Sequence, residues 1–215
     1  MLWKGTIGTM LKKYTKVIEG HTISLSCDES VETQGQALFR ILEQQNKLTP
    51  LFSQEACTIR IGWTYYYIEK QKTGNDYILT CPDFQNDPTK GKMEDITAAI
   101  MVQNMMMDTL SKIKRKDAHN IFFADSVTVS QAVVPGRDLC LQRMETKKKG
   151  DSGWTIVLEH PSEEDKAKPM VNVLVCHLLK LNPALMGLLV LPVGAKVITS
   201  NEQKSFHINL KDVEK

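Results

Sequence analysis

Gly150-Asp151-Ser152-Gly153 spells the loop that carries the nucleophilic serine of chymotrypsin-like proteases. Such a serine needs a histidine base and an orienting aspartate, assembled by two β-barrels from residues mostly upstream of it. Upstream stand only His21 and His119, and neither lies in the Ala-Ala-His-Cys setting of those enzymes. The nearest echo, Thr97-Ala98-Ala99-Ile100, has no histidine and falls inside a strongly helical segment, while Trp154 stands where the protease motif has its second glycine. Asp151, Ser152, Gly153 and Trp154 therefore read as structure. Asp and Ser side chains close a turn onto the backbone, Gly153 permits a dihedral barred to other residues, and Trp154 opens a strand with a large apolar anchor.

Other chemistry has still less support. The chain has no H-E-x-x-H, no Walker A loop, no G-x-G-x-x-G and no G-x-S-x-G. Its histidines are scattered, and His177, within an apolar run, reads as a hydrogen-bonded core residue. Asp83 and Asp87 suit turns around Pro82 and Pro88, and Glu94 and Asp95 suit a helix N-terminus, so no metal site is assigned. The basic tracts 112–116 and 147–149 have few aromatics between them and read as a solvated helix end and a loop. No catalytic residue, metal or cofactor is expected.

The elements that must position these residues follow from periodicity. Leu11, Tyr14, Val17 and Ile18 recur at helical spacing, and Ile23 and Leu25 alternate with polar residues, predicting a short helix and then a strand. Ser30 is placed as the cap of a helix whose face is Val31, Leu38, Ile41, Leu42 and Gln45, ending at Thr49-Pro50. Two β-rich runs, 57–70 and 76–84, joined through Lys72-Thr73-Gly74-Asn75, predict a hairpin. A long helix is expected near residues 93–116, burying Ile96, Ala99, Ile100, Met106, Met107, Leu110 and Ile113, with Gln103 in the same face bracing a neighbouring backbone or facing a polar groove. Strands are predicted within 126–134, 138–146 and 152–160, then an acidic connection over 161–169 and an apolar stretch over 171–181. A short helix from Asn182-Pro183, a turn at Pro192-Val193-Gly194 and two closing strands complete the pattern. The fold class is α+β, with mixed or antiparallel sheets and packed helices, divided into regions 1–120 and 121–215. The Gly-Trp-Thr at 62–64 and 153–155 is too short to count as a repeat.

With 215 residues, 42% of them hydrophobic, the chain can bury a substantial core. Its 27 Lys and Arg against 25 Asp and Glu leave a formal charge of +2, so no global field draws in nucleic acid or an anionic membrane. Five cysteines, Cys27, Cys57, Cys81, Cys140 and Cys176, are odd in number and widely spaced, which fits reduced thiols better than a disulfide framework. The N-terminus interleaves lysines with apolar residues and does not read as a signal peptide, and the run 185–193 is too short to span a bilayer. A soluble, cytoplasmic protein is expected.

Asp151-Ser152-Gly153-Trp154, followed by an acidic loop, an apolar segment, Leu181-Asn182-Pro183 and Leu191-Pro192-Val193-Gly194, resembles the thirty-third family of bacterial immunity-protein domains, over about residues 122–210. Gly62-Trp63-Thr64, Tyr77-Ile78-Leu79, Pro82-Asp83-Phe84, Asp87-Pro88 and Asp95-Ile96-Thr97 resemble an extension found in longer relatives. One departure is that Trp154 runs through Thr155-Ile156-Val157-Leu158 to Glu159-His160 without the glycine that relatives place after the tryptophan strand. The resemblance implies a non-enzymatic cytoplasmic protein that binds and neutralises a cognate toxin of a polymorphic toxin system, with neither nucleic acid nor membrane as partner. The alternative is an intracellular protein- or ligand-binding regulatory module with no toxin partner. Contact residues are expected in the charged loop, at Glu159, Glu163, Glu164 and Asp165, or on the aromatic hairpin, at Tyr65 and Tyr67. Asp151, Ser152, Gly153, Trp154, Pro192 and Gly194 are expected to be structural.

Overall fold

The computed structural model describes residues 10–53, 55–72, 74–113 and 121–210. It divides into two compact units, one ending at Asn104 and the other starting at Met105. Each is built on a mixed six-stranded sheet, and with the packed helices the fold is α+β.

In the first unit, β1 (Leu11–Ile18) and β2 (His21–Asp28) form a hairpin whose register runs from Leu11↔Asp28 to Ile18↔His21. Glu19 and Gly20, at φ 49° and 82°, make the two-residue connection that suits the strands' twist. The helix expected over Leu11, Tyr14, Val17 and Ile18 is thus a strand. Burial alternates along it, with Lys12, Tyr14, Lys16 and Ile18 on the more covered side. The two lysines are half-buried and pair with Glu29 (2.5 Å) and Glu43 (2.9 Å). Lys12 and Lys16 thus occupy the more covered strand positions, Lys13 the open side, and Thr15, Val17 and Ile18 are β-branched residues that favour the strand.

A 3-10 turn, Glu29–Val31, leads into α1 (Glu32–Leu48). Asp28 caps the 3-10 turn, its carboxylate accepting from the Ser30 amide at 2.8 Å, while α1 itself starts from Val31 with no side-chain cap, so the expected Ser30 cap is not formed. α1 buries Gly35, Leu38, Phe39 and Leu42, leaves Ile41 37% exposed, and ends where Thr49 donates to the Gln45 carbonyl. Gly35 lies so close to β2 that a Cβ there would meet Cys27 Sγ at 2.9 Å. The run 57–70 is itself a hairpin, β3 (Ala56–Ile61) and β4 (Thr64–Lys70), turning at Gly62-Trp63. β4 then pairs antiparallel with β5 (Asp76–Pro82), which carries the short β6 (Lys92–Met93). The order is β1-β2-β5-β4-β3, with β2 parallel to β5.

The long helix, α2, spans Thr97–Ile113, and Asp95 accepts from the Thr97 amide at its start. Ile96, Ala99, Ile100, Val102 and Met106 are buried, but Met107 is 55% exposed, so the inward stripe is narrower than the run of apolar types suggests. Lys114 to Asn120 lie outside the described residues, and with them the predicted end of that helix and the proposed boundary near residue 120.

In the second unit β7 (Ser126–Ser130), β8 (Leu139–Arg143), β9 (Asp151–Leu158), β10 (Met170–Leu174), β11 (Lys196–Ser200) and β12 (Ser205–Asn209) are ordered β10-β7-β9-β8-β11-β12. β7 and β9 run parallel and the other pairs antiparallel. The acidic connection holds a single turn, α3 (Glu163–Lys166), and the apolar stretch continues from β10 through a 3-10 turn at Val175–His177 into α4 (Leu178–Leu181). The helix expected from Asn182-Pro183 is a 3-10 helix, Pro183–Leu188, with Asn182 Oδ1 capping the Ala184 amide at 3.1 Å. Its Leu185, Met186 and Leu188 are buried with Leu141, Ile156, Leu178 and Val197.

Candidate functional site

Asp151, Ser152 and Gly153 form a bulge inside β9 and not a turn ahead of it. Ser126 pairs with Asp151 while Thr128 pairs with Thr155, so β9 fits two more residues than β7 into the same step. Gly153 has φ +74°, and a Cβ there would lie 2.2 Å from the Met144 carbonyl oxygen, so no other residue fits. Asp151 accepts from the Gly153 amide at 2.9 Å. The buried Ser152 hydroxyl donates to the Ser126 carbonyl at 2.7 Å and accepts from the Trp154 amide at 3.2 Å. The hydroxyl of a nucleophile would be aimed at a substrate; this one ties β9 to β7.

The bulge turns Trp154 fully inward, where Nε1 donates to the Leu189 carbonyl at 2.9 Å. The cross-strand partner of Trp154 is Arg143, a residue that the sequence reading passed over. Arg143 is buried; its Nη1 donates to the carbonyls of Leu189 (3.1 Å) and Leu191 (2.6 Å), and its guanidinium lies 5.8 Å from the Trp154 ring centroid. Burial pulls its pKa down to about 10, and its Nε has no partner among the described residues. Its backbone meets the Pro192-Val193-Gly194 turn, accepting from the Gly194 amide and donating to the Ala195 carbonyl, both at 2.9 Å. Asp-Ser-Gly-Trp and Leu-Pro-Val-Gly, some forty residues apart in sequence, are thus one hydrogen-bonded cluster around Arg143. No sequence signal marked this arginine, because a lone Arg in a strand reads as surface.

At the other end of β9 the chain leaves the sheet through Glu159 and His160, and two open clefts lie there. One, of about 260 Å³, is lined by Gly136, Arg137, Asp138, His160, Asn201 and Glu202. The other, of about 280 Å³, shares Gly136, Arg137 and Asn201 and is lined also by Val134, Pro135, Leu139, Leu181, Asn182 and Pro183. Asn201 fastens the loop between β7 and β8: its amide donates to Asp138 Oδ1 at 2.7 Å and its side chain to the Arg137 carbonyl. α3 stands beside them, since Arg137 faces the Asp165 carboxylate at 3.7 Å. Asp165 and Ser162 form a capping box, and the hydrogen bonds from Ser162 hold the Asp165 carboxyl below the usual range.

Of the expected contact residues, Glu159, Glu163, Glu164 and Asp165 come together at this end of the second unit. Glu163 and Glu164 are exposed, Glu163 pairs with Lys166 at 2.6 Å, and Asp165 is drawn into the capping box. Tyr65 and Tyr67 belong to the first unit, on the more open side of β4. There Lys92 Nζ sits 4.4 Å over the Tyr67 ring and pairs with Glu69 at 2.7 Å. Gln103 is half-buried and its Oε1 has no partner among the described residues. It fills the space over Gly62, where a Cβ would stand 1.8 Å from that oxygen. Sequence reasoning missed the Arg137 and Asn201 loops, which come into register only when the sheet assembles.

Among the described residues no group of three or more His, Cys, Asp or Glu could hold a metal ion, and no helix is long and apolar enough to cross a membrane. Compared with known families, residues 105–208 match the Imm33-like domain, and this match begins at the residue where the second compact unit begins. No curated protein and no solved structure matches the chain significantly.

Proposed function

We infer, from the Imm33-like domain that the chain carries, that it is an immunity protein: a non-enzymatic, cytoplasmic protein that neutralises a cognate toxin by stoichiometric binding. The match over residues 105–208 carries this reading. The engaged Ser152 hydroxyl supports the non-enzymatic part of it, because the only catalytic-looking motif is spent on the sheet. Glu159, Glu163 and Glu164 are the contact residues proposed here, on loops carried by the rigid β9 frame. Tyr65 and Tyr67 are the alternative surface. Co-expression tests the reading: cells making the toxin encoded next to this chain's gene should grow only when the chain is also made, and the two should co-purify at one to one. Rescue without a complex would instead indicate a regulatory or enzymatic route.

A further inference from the structure

We propose that β10 is a self-association edge: two copies of this chain pair β10 with β10, antiparallel about a two-fold axis at Asn172, and so join their second-unit sheets into one. The inference is independent of the immunity-protein reading. β10 ends its sheet and pairs with β7 alone. The Gln131 amide donates to the Pro169 carbonyl at 3.0 Å and the Val175 amide to the Asp125 carbonyl at 2.8 Å, which fixes the alternation along the strand. The main chain of Val171 and Val173 therefore faces β7, and that of Met170, Asn172 and Leu174 faces away from it. Among the described residues these three have no main-chain hydrogen bond. Pro169 belongs to the set that faces β7, so it removes no donor from the open side. Natural sheets blunt such edges with charge. β1, β3 and β12, at the other sheet ends, carry Lys12, Lys13 and Lys16, Arg60, and His207, whereas β10 carries no ionisable side chain.

The strand's own symmetry points to a second copy as the occupant. Met-Val-Asn-Val-Leu has the same character read from either end, as a two-fold interface requires. In the register centred on Asn172, Met170 meets Leu174 of the second copy, Val171 meets Val173, and Asn172 meets its own counterpart. Met170, Asn172 and Leu174 then form the hydrogen-bonded pairs, so every outward N–H and C=O finds a partner. Val171 and Val173, half-buried on the face of the buried Val127 and Val129, gain cover from each other's copies, and Met170, 45% exposed, gains it from Leu174. Thr128 donates to Asn172 Oδ1 at 2.9 Å, which leaves that oxygen a second lone pair for the facing Asn172 amide. With no ionisable group in the strand, no like charges are opposed. Sliding the register sets Asn172 against Met170 or Leu174 and leaves outward groups unmatched.

Sedimentation velocity of the full chain, from dilute to near-millimolar concentration, should show a reversible monomer–dimer equilibrium. Asn172 is exposed, so Asn172→Lys and Asn172→Asp should leave the denaturant midpoint nearly unchanged. Each sets like charges face to face on the axis, so each alone should weaken dimerisation about tenfold or more. Mixed one to one, the two variants should associate again, because only a residue that faces its own counterpart can be rescued in this way. A chain that stays monomeric at every concentration overturns the proposal. A dimer indifferent to both variants, or a mixture that fails to associate, overturns it equally. If the unaltered chain is monomeric and Asn172→Lys abolishes toxin binding, the edge takes a toxin strand and not a second copy.

Discussion

Ser152, Trp154 and Arg143 show how a catalytic-looking motif becomes a clamp. Because the Ser152 hydroxyl is buried and engaged with Ser126, a fluorophosphonate probe should leave the protein unlabelled; stoichiometric labelling at Ser152 would reverse the assignment. Trp154→Ala should cost about 3 to 5 kcal/mol, read as a lower denaturant midpoint, since it removes a fully buried aromatic and leaves a cavity. Arg143 and Trp154 both donate to the Leu189 carbonyl, so their truncations should not add. A double-mutant cycle should give a coupling of about 0.5 to 3 kcal/mol, and a coupling of zero would mean that the two act independently.

At the scale of elements, α3 is a single turn that has no buried residue, so its order comes from the capping box and not from packing. The lowered Asp165 pKa means that the ionised carboxylate favours the folded turn. That contribution is complete above the ordinary carboxylate range and is lost as pH falls through the lowered value. Ser162→Ala keeps the backbone donor but removes the hydroxyl, so it should move the Asp165 titration upward in part and speed hydrogen exchange at its amide; an unchanged titration would show that the Ser162 side chain adds nothing in solution. Most strands were legible because alternation survives in the sequence, as in Val127 and Val129 or Ile156 and Leu158. β1 was not, because its inward positions include two lysines, whose burial is partial and whose partners lie 17 and 27 residues away. The bulge was read as a turn since Gly153 signals a left-handed backbone in either setting; its crowding against Met144 is a tertiary fact. The acidic half of the candidate surface was visible as a run of charge. Arg137 and Asn201 were not, because they meet across 64 residues of chain.

For the whole molecule, the match to the Imm33-like domain and the second compact unit share their first residue, Met105. The first unit has its own sheet and its own buried Trp63, whose Nε1 donates to the Ala99 carbonyl at 2.9 Å. Toxin binding by the second unit is the central claim, and its geometry dictates how to test it. Asp165 must be spared, because reversing it would break the capping box as well as the surface charge. Glu159, Glu163 and Glu164 can be changed to lysine together without touching that box. The decisive measurement is the association rate, at low salt, of the neighbouring-gene toxin with the full chain and with this triple variant. The immunity-protein account predicts a one-to-one complex whose association slows about tenfold or more in the variant, with the denaturant midpoint nearly unchanged. Equal rates for the two proteins would move the interface away from this loop, and no complex with the unaltered chain would contradict the account itself.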